Sequence, residues 1–273
     1  MPELPEVETI ARKLRKAIIG KSVASVQVSG LSLRKPIEKS FAQGLRGRTV
    51  RGIHRRGKYL ILELAPRGFC LIHLGMSGRI LFHQGSITPL KHTHAVIRFS
   101  DGTELQYRDQ RRFGQLSLHE VAKLDQVPEL RLLGIDPTSA QFTPERLSGC
   151  LRESRRDIKS FLLDQRRIAG LGNIYICESL FRAGIHPGRR CCSLTQKETR
   201  ELNRAIRTVL KSAVRFRGTS FSDFMDSDGN PGENQKYLEV YQREGDLCRR
   251  CKSKILRLRQ GGRSSFLCPR CQT

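Results

Sequence analysis

The sequence predicts an α+β protein of several domains: a leading helix on an N-terminal β-sandwich, a mostly helical middle, and a small β-hairpin module at the C-terminal end. Three observations carry this. The opening residues repeat with a helical period, and short strand-like runs broken by Gly, Pro, Ser and Asp-Gly then extend to residue 118. The chain closes on Cys248-x2-Cys251-x16-Cys268-x2-Cys271. At 273 residues and 38% hydrophobic, the chain can bury two cores and carry a metal-stabilised tail. The pattern divides it into residues 1–133, 134–235 and 236–273.

In order along the chain, Pro5 stands where a first helical turn tolerates proline, and Glu6 and Glu8 favour the positive end of a helix. Ile10, Leu14 and Ala17-Ile18 recur on one face until Gly20. The chain thus begins almost inside a helix whose packing can hold the terminal amine still. Strand-like runs follow at 23–28, 59–64, 70–74, 95–99, 104–107 and 115–118, the spacing of a two-sheet sandwich. Past Gly134-Ile135-Asp136-Pro137 the period becomes helical. Thr143-Pro144-Glu145 starts one helix, residues 158–165 form an amphipathic one, and another runs from Ile174. Thr195-x-x-Glu198 is a capping box ahead of Leu202, Ile206, Val209, Leu210 and Ala213. Residues 218–232, rich in Gly, Ser, Asp and Asn, read as a mobile loop of the kind that forms lids.

Lys and Arg number 50 against 26 Asp and Glu, and the net charge of +24 is spread along the chain. Such a surplus repels itself unless a polyanion uses it, and nucleic acid is the commonest such partner; a solubility-giving surface is the plainer alternative. Nine cysteines, four of them in the terminal spacing, speak for a reducing cytoplasm and against a disulfide scaffold. No stretch is apolar for the roughly 18 residues that crossing a bilayer takes, and acids stand where a signal peptide has Lys or Arg. The expectation is a soluble cytoplasmic protein with no membrane partner.

Cys248, Cys251, Cys268 and Cys271 supply four thiolates that can close tetrahedrally on one structural Zn2+, making the hairpin between them a zinc finger. Redox cycling is the weaker reading, because two spaced knuckles have no evident role in it. Arg257, Arg259 and Arg263 flank the Gly261-Gly262 turn, from which a cation can reach a phosphate; each taken alone is equally well a solvated side chain.

Gly170-Leu171-Gly172-Asn173 precedes a helix start, where exposed amides and Asn173 can cradle an anion. The basic residues Arg155, Arg156, Lys159, Arg166 and Arg167 surround it in sequence, although a plain helix connection is the commoner use of such a turn. If residue 1 is removed, Pro2 presents a secondary amine beside Glu3. Condensed with an aldehyde, that amine gives an iminium with no N–H to lose, an electron sink for elimination, and Glu3 can donate a proton to an opening sugar ring. By themselves the two residues are better explained as permitting Met removal and capping a helix. His73 to Gly78 presents Met76 in a glycine-flanked turn, and Gln110 to Gly114 presents Arg111 and Phe113. Bracketed by turns and cations, Met76 and Phe113 fit wedges filling the hole left by an extruded base better than core.

Together these motifs resemble the formamidopyrimidine-DNA glycosylase family over nearly the whole chain: Pro2 to Glu8, Arg56-Gly57-Lys58-Tyr59, His73 to Gly78, Arg111 to Gly114, Gly172-Asn173-Ile174-Tyr175, and the finger with Arg263. The resemblance implies a β-sandwich, a helix-two-turns-helix domain and a zinc finger, acting as a monomer on damaged double-stranded DNA held in a cleft. It implies Pro2 as Schiff-base nucleophile, Glu3 as acid, and Lys58 and Arg263 as proton donors in β- and δ-elimination. It further implies DNA contacts from His73, His92, Asn173 and Arg155, gap filling by Met76, Arg111 and Phe113, and a lid at residues 219–232.

The activity so implied is removal of oxidised purines (8-oxoguanine and formamidopyrimidines) followed by abasic-site cleavage. Two rivals stand beside it: an enzyme resembling endonuclease VIII, for oxidised pyrimidines, and a non-catalytic zinc-finger DNA-binding protein. Leu4 and the Met76, Arg111, Phe113 set speak against the first, and Pro2-Glu3 has no purpose in the second. The chain departs from the family pattern at Gln242, at Ile176-Cys177 and over Ser154 to Asp157, the last of which bears on Arg155.

Overall fold

The computed structural model describes residues 2–221 and 224–273; Met1, together with Ser222 and Asp223 of the expected lid, lies outside the described residues. The chain forms two compact units, Met1–Arg131 with Phe216–Gln235, and Leu132–Arg215 with Lys236–Thr273. The segment 216–235, expected with the helical middle, therefore packs with the N-terminal unit, and the finger shares a unit with the helices.

The first unit begins with α1 (Leu4–Ile18), whose Leu4, Val7, Ile10, Ala11, Leu14 and Ile18 are at most 1% exposed. Apolar side chains at this spacing make one continuous stripe, so burial drives the helix. β1 (Val23–Val28), α2 (Ser40–Leu45), β2 (Thr49–Arg56), β3 (Tyr59–Ala65), β4 (Phe69–His73), β5 (Gly78–His83), β6 (Thr93–Phe99), β7 (Glu104–Asp109) and β8 (Gln115–His119) follow, with α3 (Pro128–Arg131) behind them. Two antiparallel four-stranded sheets result, in the orders β1-β6-β7-β5 and β2-β3-β4-β8, which is the expected sandwich. One apolar cluster runs from α1 through strands of both sheets, including Leu14, Val50, Leu62, Ile72, Ile97 and Tyr107.

Six of the eight sandwich strands stand where the sequence places them, within two residues at either end. β2 and β5 are additions. β2 reads Thr-Val-Arg-Gly-Ile-His-Arg-Arg and buries only Val50 and Ile53; a register shift between Val50 and Gly52 breaks the alternation that would announce it.

The second unit holds α4 (Pro144–Arg152), α5 (Ile158–Leu163), α6 (Asn173–Ala183), α7 (Gln196–Arg215) and the hairpin β9 (Leu256–Gln260) and β10 (Arg263–Leu267). Thr143 Oγ1 accepts the Arg146 amide at 3.2 Å, and the Thr195–Glu198 box closes in both directions, at 2.7 and 3.2 Å. α5 stops at Leu163, two residues short of expectation. Asp164 accepts the Arg166 amide, while the Gln165 side chain donates to Leu163 and Leu171 carbonyls and accepts from Gly170, so side chains supply the bonds that a further helical turn would have made. Among the described residues no helix is long and apolar enough to cross a membrane.

Candidate active site and nucleic-acid interface

Pro2 is buried, and Glu3, 1% exposed, is the N-cap of α1. The turn that carries them is tied by Glu6, also 1% exposed, which accepts the Glu3 amide at 2.8 Å and the Thr219 amide at 2.7 Å. Gly218 is left-handed, at φ +81°, and a Cβ there would lie 2.7 Å from Glu6 Oε1. Glu6 thus joins the N-terminal turn to the segment after α7. In sequence it was only an acid in a first helical turn; 213 residues separate it from Thr219, and nothing local announces the bond.

Lys58 occupies the second place of the two-residue turn between β2 and β3, after Gly57 at φ +56°, where type II′ hairpin turns use glycine. The turn is held towards α1 by Arg55, which donates to the Gly57 carbonyl at 3.1 Å and to Glu8 at 2.9 Å. Burial opposes ionisation of Glu8, but Arg55, Arg12 and Arg15 together hold its carboxyl below the usual range. A fixed anion therefore braces the base of the lysine turn.

His73 ends β4 opposite Tyr59, ring centroids 4.9 Å apart. Its pKa falls to about 4 because it is buried and faces Lys58 and Arg34, against an opposing pull from Asp109. Its Nδ1 accepts the Gly75 amide at 3.1 Å, which leaves the proton on Nε2. His73 is therefore a neutral N–H donor, suited to a phosphate oxygen without adding charge. His92, left-handed at φ +68°, lines a cavity of about 110 Å3 with Ser77, Arg79, Arg108, Asp109 and Gln110.

Met76 is half-buried, whereas Phe113 is 46% exposed and lies 4.8 Å under the Arg111 guanidinium. The core reading of Phe113 therefore fails, and an exposed ring stacked on a cation is what a duplex-entering wedge needs.

In the second unit, α6 starts at Asn173 after Gly172. Asn173 Nδ2 donates to the Ser264 carbonyl at 2.9 Å, and its Oδ1 is buried with no partner among the described residues. Lys159 corrects a reading made from sequence. It is 0% exposed, not a surface cation, and donates to Ser264 O at 2.9 Å and Ser265 Oγ at 2.6 Å. Two donors from α5 and α6 thus seat the first turn of β10, whose leading residue is the exposed Arg263. Asn173, Arg263, Tyr241, Gln242, Glu244, Arg257, Ser264 and Phe266 line a cavity of about 550 Å3. Glu178 is a further residue that the sequence hid: 4% exposed on α6, it accepts the amides of Glu239, Val240 and Tyr241 at 2.8–3.0 Å and so places the wall of that cavity. Arg155 is exposed, its carbonyl taking a bond from Arg190.

The four finger cysteines bring their sulfurs within 4.8 Å of one another, with Cys251–Cys268 at 3.3 Å and Cys248–Cys271 at 3.9 Å. Thiolates bound tetrahedrally at about 2.3 Å stand roughly 3.8 Å apart. The set fits one zinc, and four sulfurs leave it no open position, so the metal is structural.

Residues 1–116 match the family model of the formamidopyrimidine-DNA glycosylase N-terminal domain, residues 133–225 that of the formamidopyrimidine-DNA glycosylase H2TH domain, and residues 245–273 a zinc finger found in FPG and IleRS. The chain is 41% identical over 273 residues to the formamidopyrimidine-DNA glycosylase of Pelotomaculum thermopropionicum, covering 100% of this chain and 99% of the relative. With that of Gluconobacter oxydans it shares 42% over 276 residues, covering 100% of both. Among solved structures, the MutM (Fpg) protein of Thermus thermophilus superposes with a TM-score of 0.88 at 38% identity, covering 99% of this chain and 98% of that one. Lactococcus lactis Fpg in complex with DNA containing an abasic site gives 0.90 at 33% identity, with 99% of both chains covered.

Proposed function

The chain belongs to the formamidopyrimidine-DNA glycosylase family, DNA glycosylases of base-excision repair with the lyase activity typical of the family, and on that premise we propose the assignment of its site residues. Pro2, freed at its nitrogen, attacks the deoxyribose C1′. The bond from C1′ to the damaged base breaks, and Glu3 gives a proton to the ring oxygen as the sugar opens. The iminium that remains draws electrons from C2′, the C2′ proton leaves, and the 3′ C–O bond to phosphate breaks; a second elimination releases the 5′ phosphate. Lys58 and Arg263 move protons in the two eliminations. His73, His92, Asn173 and Arg155 hold the DNA, Met76, Arg111 and Phe113 fill the gap left by the extruded base, and residues 219–232 cover it.

The observation that carries this reading is the placement of Pro2-Glu3 at the buried cap of α1, tied by the Glu6 bonds to the Glu3 and Thr219 amides. A nucleophile on an otherwise free terminus would wander; here the helix and the carboxylate restrict it, which is the orientation a covalent step needs. The substrate class is oxidised purine in double-stranded DNA, and the enzyme works as a monomer in the bacterial cytoplasm at the nucleoid. The three segments 1–133, 134–235 and 236–273 act as catalytic, helical and finger domains, a division supported by the three family-model matches, with the capping part of the second, 216–235, packed on the catalytic unit. A zinc-finger binder without chemistry would account for residues 245–273 alone.

The test is borohydride reduction during turnover on duplex DNA carrying 8-oxoguanine opposite cytosine. A covalent protein–DNA adduct is expected, and it should vanish when the terminal amine is blocked. An adduct that survives blocking, or none from active enzyme, overturns the assignment of Pro2.

A further inference from the structure

We infer that Asp109 is a positioning residue that locks the two loops presenting Met76, Arg111 and Phe113 into one rigid wedge; the inference rests on the reading that these side chains enter duplex DNA. Asp109 closes β7 and is 0% exposed, and among the described residues it forms no salt bridge. Its bonds go to the loops instead. Oδ1 accepts the Ser77 hydroxyl at 2.6 Å, and Oδ2 accepts the Gly114 amide at 2.7 Å and the Tyr107 hydroxyl at 3.3 Å. Ser77 Oγ in turn accepts the Arg111 amide at 3.0 Å. One carboxylate thus accepts a hydrogen bond from each loop, and Ser77 closes the ring between them.

The loops are pressed together at the same place. A Cβ on Gly75 would stand 2.5 Å from the carbonyl carbon of Phe113, and one on Gly114 would stand 2.6 Å from the His73 carbonyl oxygen. Neither position admits a side chain, so backbone lies on backbone. A buried carboxylate without a cation is costly unless several donors satisfy it, and those donors must come to where it is fixed. The end of a β-strand is such a fixed point. The result is a tip exposed to solvent, Phe113 under Arg111, on a base tied by four hydrogen bonds. An aromatic held outward beforehand loses less freedom on entering a base stack than one on a loose loop.

Two variants test this. In Asp109→Asn the charge is lost and one oxygen becomes an N–H donor: facing the Gly114 amide it opposes two donors, and facing the Ser77 hydroxyl it reverses that bond and leaves it uncharged, so one arm is broken or weakened. Ser77→Ala removes the link to Arg111 and leaves the carboxylate its bonds to Gly114 and Tyr107. Each is assayed for excision of 8-oxoguanine from duplex DNA and for strand cleavage of a single strand carrying a preformed abasic site, which has no gap to fill. The expected result is a split: duplex excision falls about ten- to a hundredfold in Asp109→Asn and by less in Ser77→Ala, while single-strand cleavage stays within about twofold in both. Equal losses on both substrates, or unchanged duplex excision in both variants, overturn the inference. If Asp109→Asn fails to fold, the split in Ser77→Ala decides. Failure of the Pro2 assignment shows separately, as active unaltered enzyme that gives no borohydride adduct, and the ratio of the two cleavage rates still judges Asp109.

Discussion

The two units anchor the turns that carry the candidate site residues by opposite polarities of hydrogen bond. In the first, the buried carboxylates Glu6 and Asp109 collect amide and hydroxyl protons, and the strands and helix that hold them belong to an extensive apolar core. In the second, Lys159 and Asn173 donate to the single carbonyl of Ser264, and the hairpin behind it rests on a small cluster in which Cys248 and Cys268 take part. An arrangement of carboxylates and amides is complete once the core has formed. The hairpin instead depends on its metal, because four thiols and a few apolar side chains do not hold a module of this size.

The strongest way to break this contrast is to remove zinc. Chelation, or Cys268→Ser, should cost the finger about 10 kcal/mol or more of folding free energy and abolish DNA binding, while the thermal transition of the first unit persists. Full DNA binding by the Cys268→Ser variant would show that the units do not differ in this way.

Protons sharpen the same comparison from the other side. His73 titrates at about 4 in the folded first unit against an ordinary 6.5, so between those values the unfolded chain binds a proton that the folded chain refuses. Its contribution is complete above pH 6.5 and is lost as pH falls towards 4, by up to about 3 kcal/mol. Urea midpoints at pH 7 and 4.5 should therefore separate more in the unaltered chain than in His73→Asn. Equal separations would mean that the burial of His73 does not govern the acid limb.

The smallest effect lies in the wall of the cavity beside Arg263. Gln242 is left-handed at φ +57°, a conformation that costs a residue with a Cβ about 1 kcal/mol relative to glycine. Gln242→Gly should raise stability by about that amount in a thermal scan. A lower midpoint would show that the glutamine side chain repays the strain with contacts of its own.

Much of the site was legible from residue types in order. The four cysteines declare their geometry because knuckle spacing is local, and the sulfurs do converge. The candidates Pro2, Glu3, Lys58 and Arg263 come from motif, and Phe113 from the oddity of an aromatic among turns and arginines; of these the structure shows Phe113 to be 46% exposed. Lys159 shows the limit: a lysine on an amphipathic helix in a basic stretch reads as a DNA contact, yet it is wholly buried under β10. Glu6, Asp109 and Glu178 were passed over for the same reason, since an acid acquires its meaning from the amides that reach it. β2 was hidden because a bulge and five polar side chains masked its period.

The sequence by itself determined the order of elements, the four metal-binding cysteines and the sign of the charge, and it nominated the candidate site residues, because period, composition, short spacing and motif are all local. Tertiary structure alone decided which unit residues 216–235 join, which cations are buried, and which carboxylates hold the loops. Those depend on bonds such as Glu6 to Thr219 and Lys159 to Ser265, whose partners are brought together only by folding over more than a hundred residues of chain.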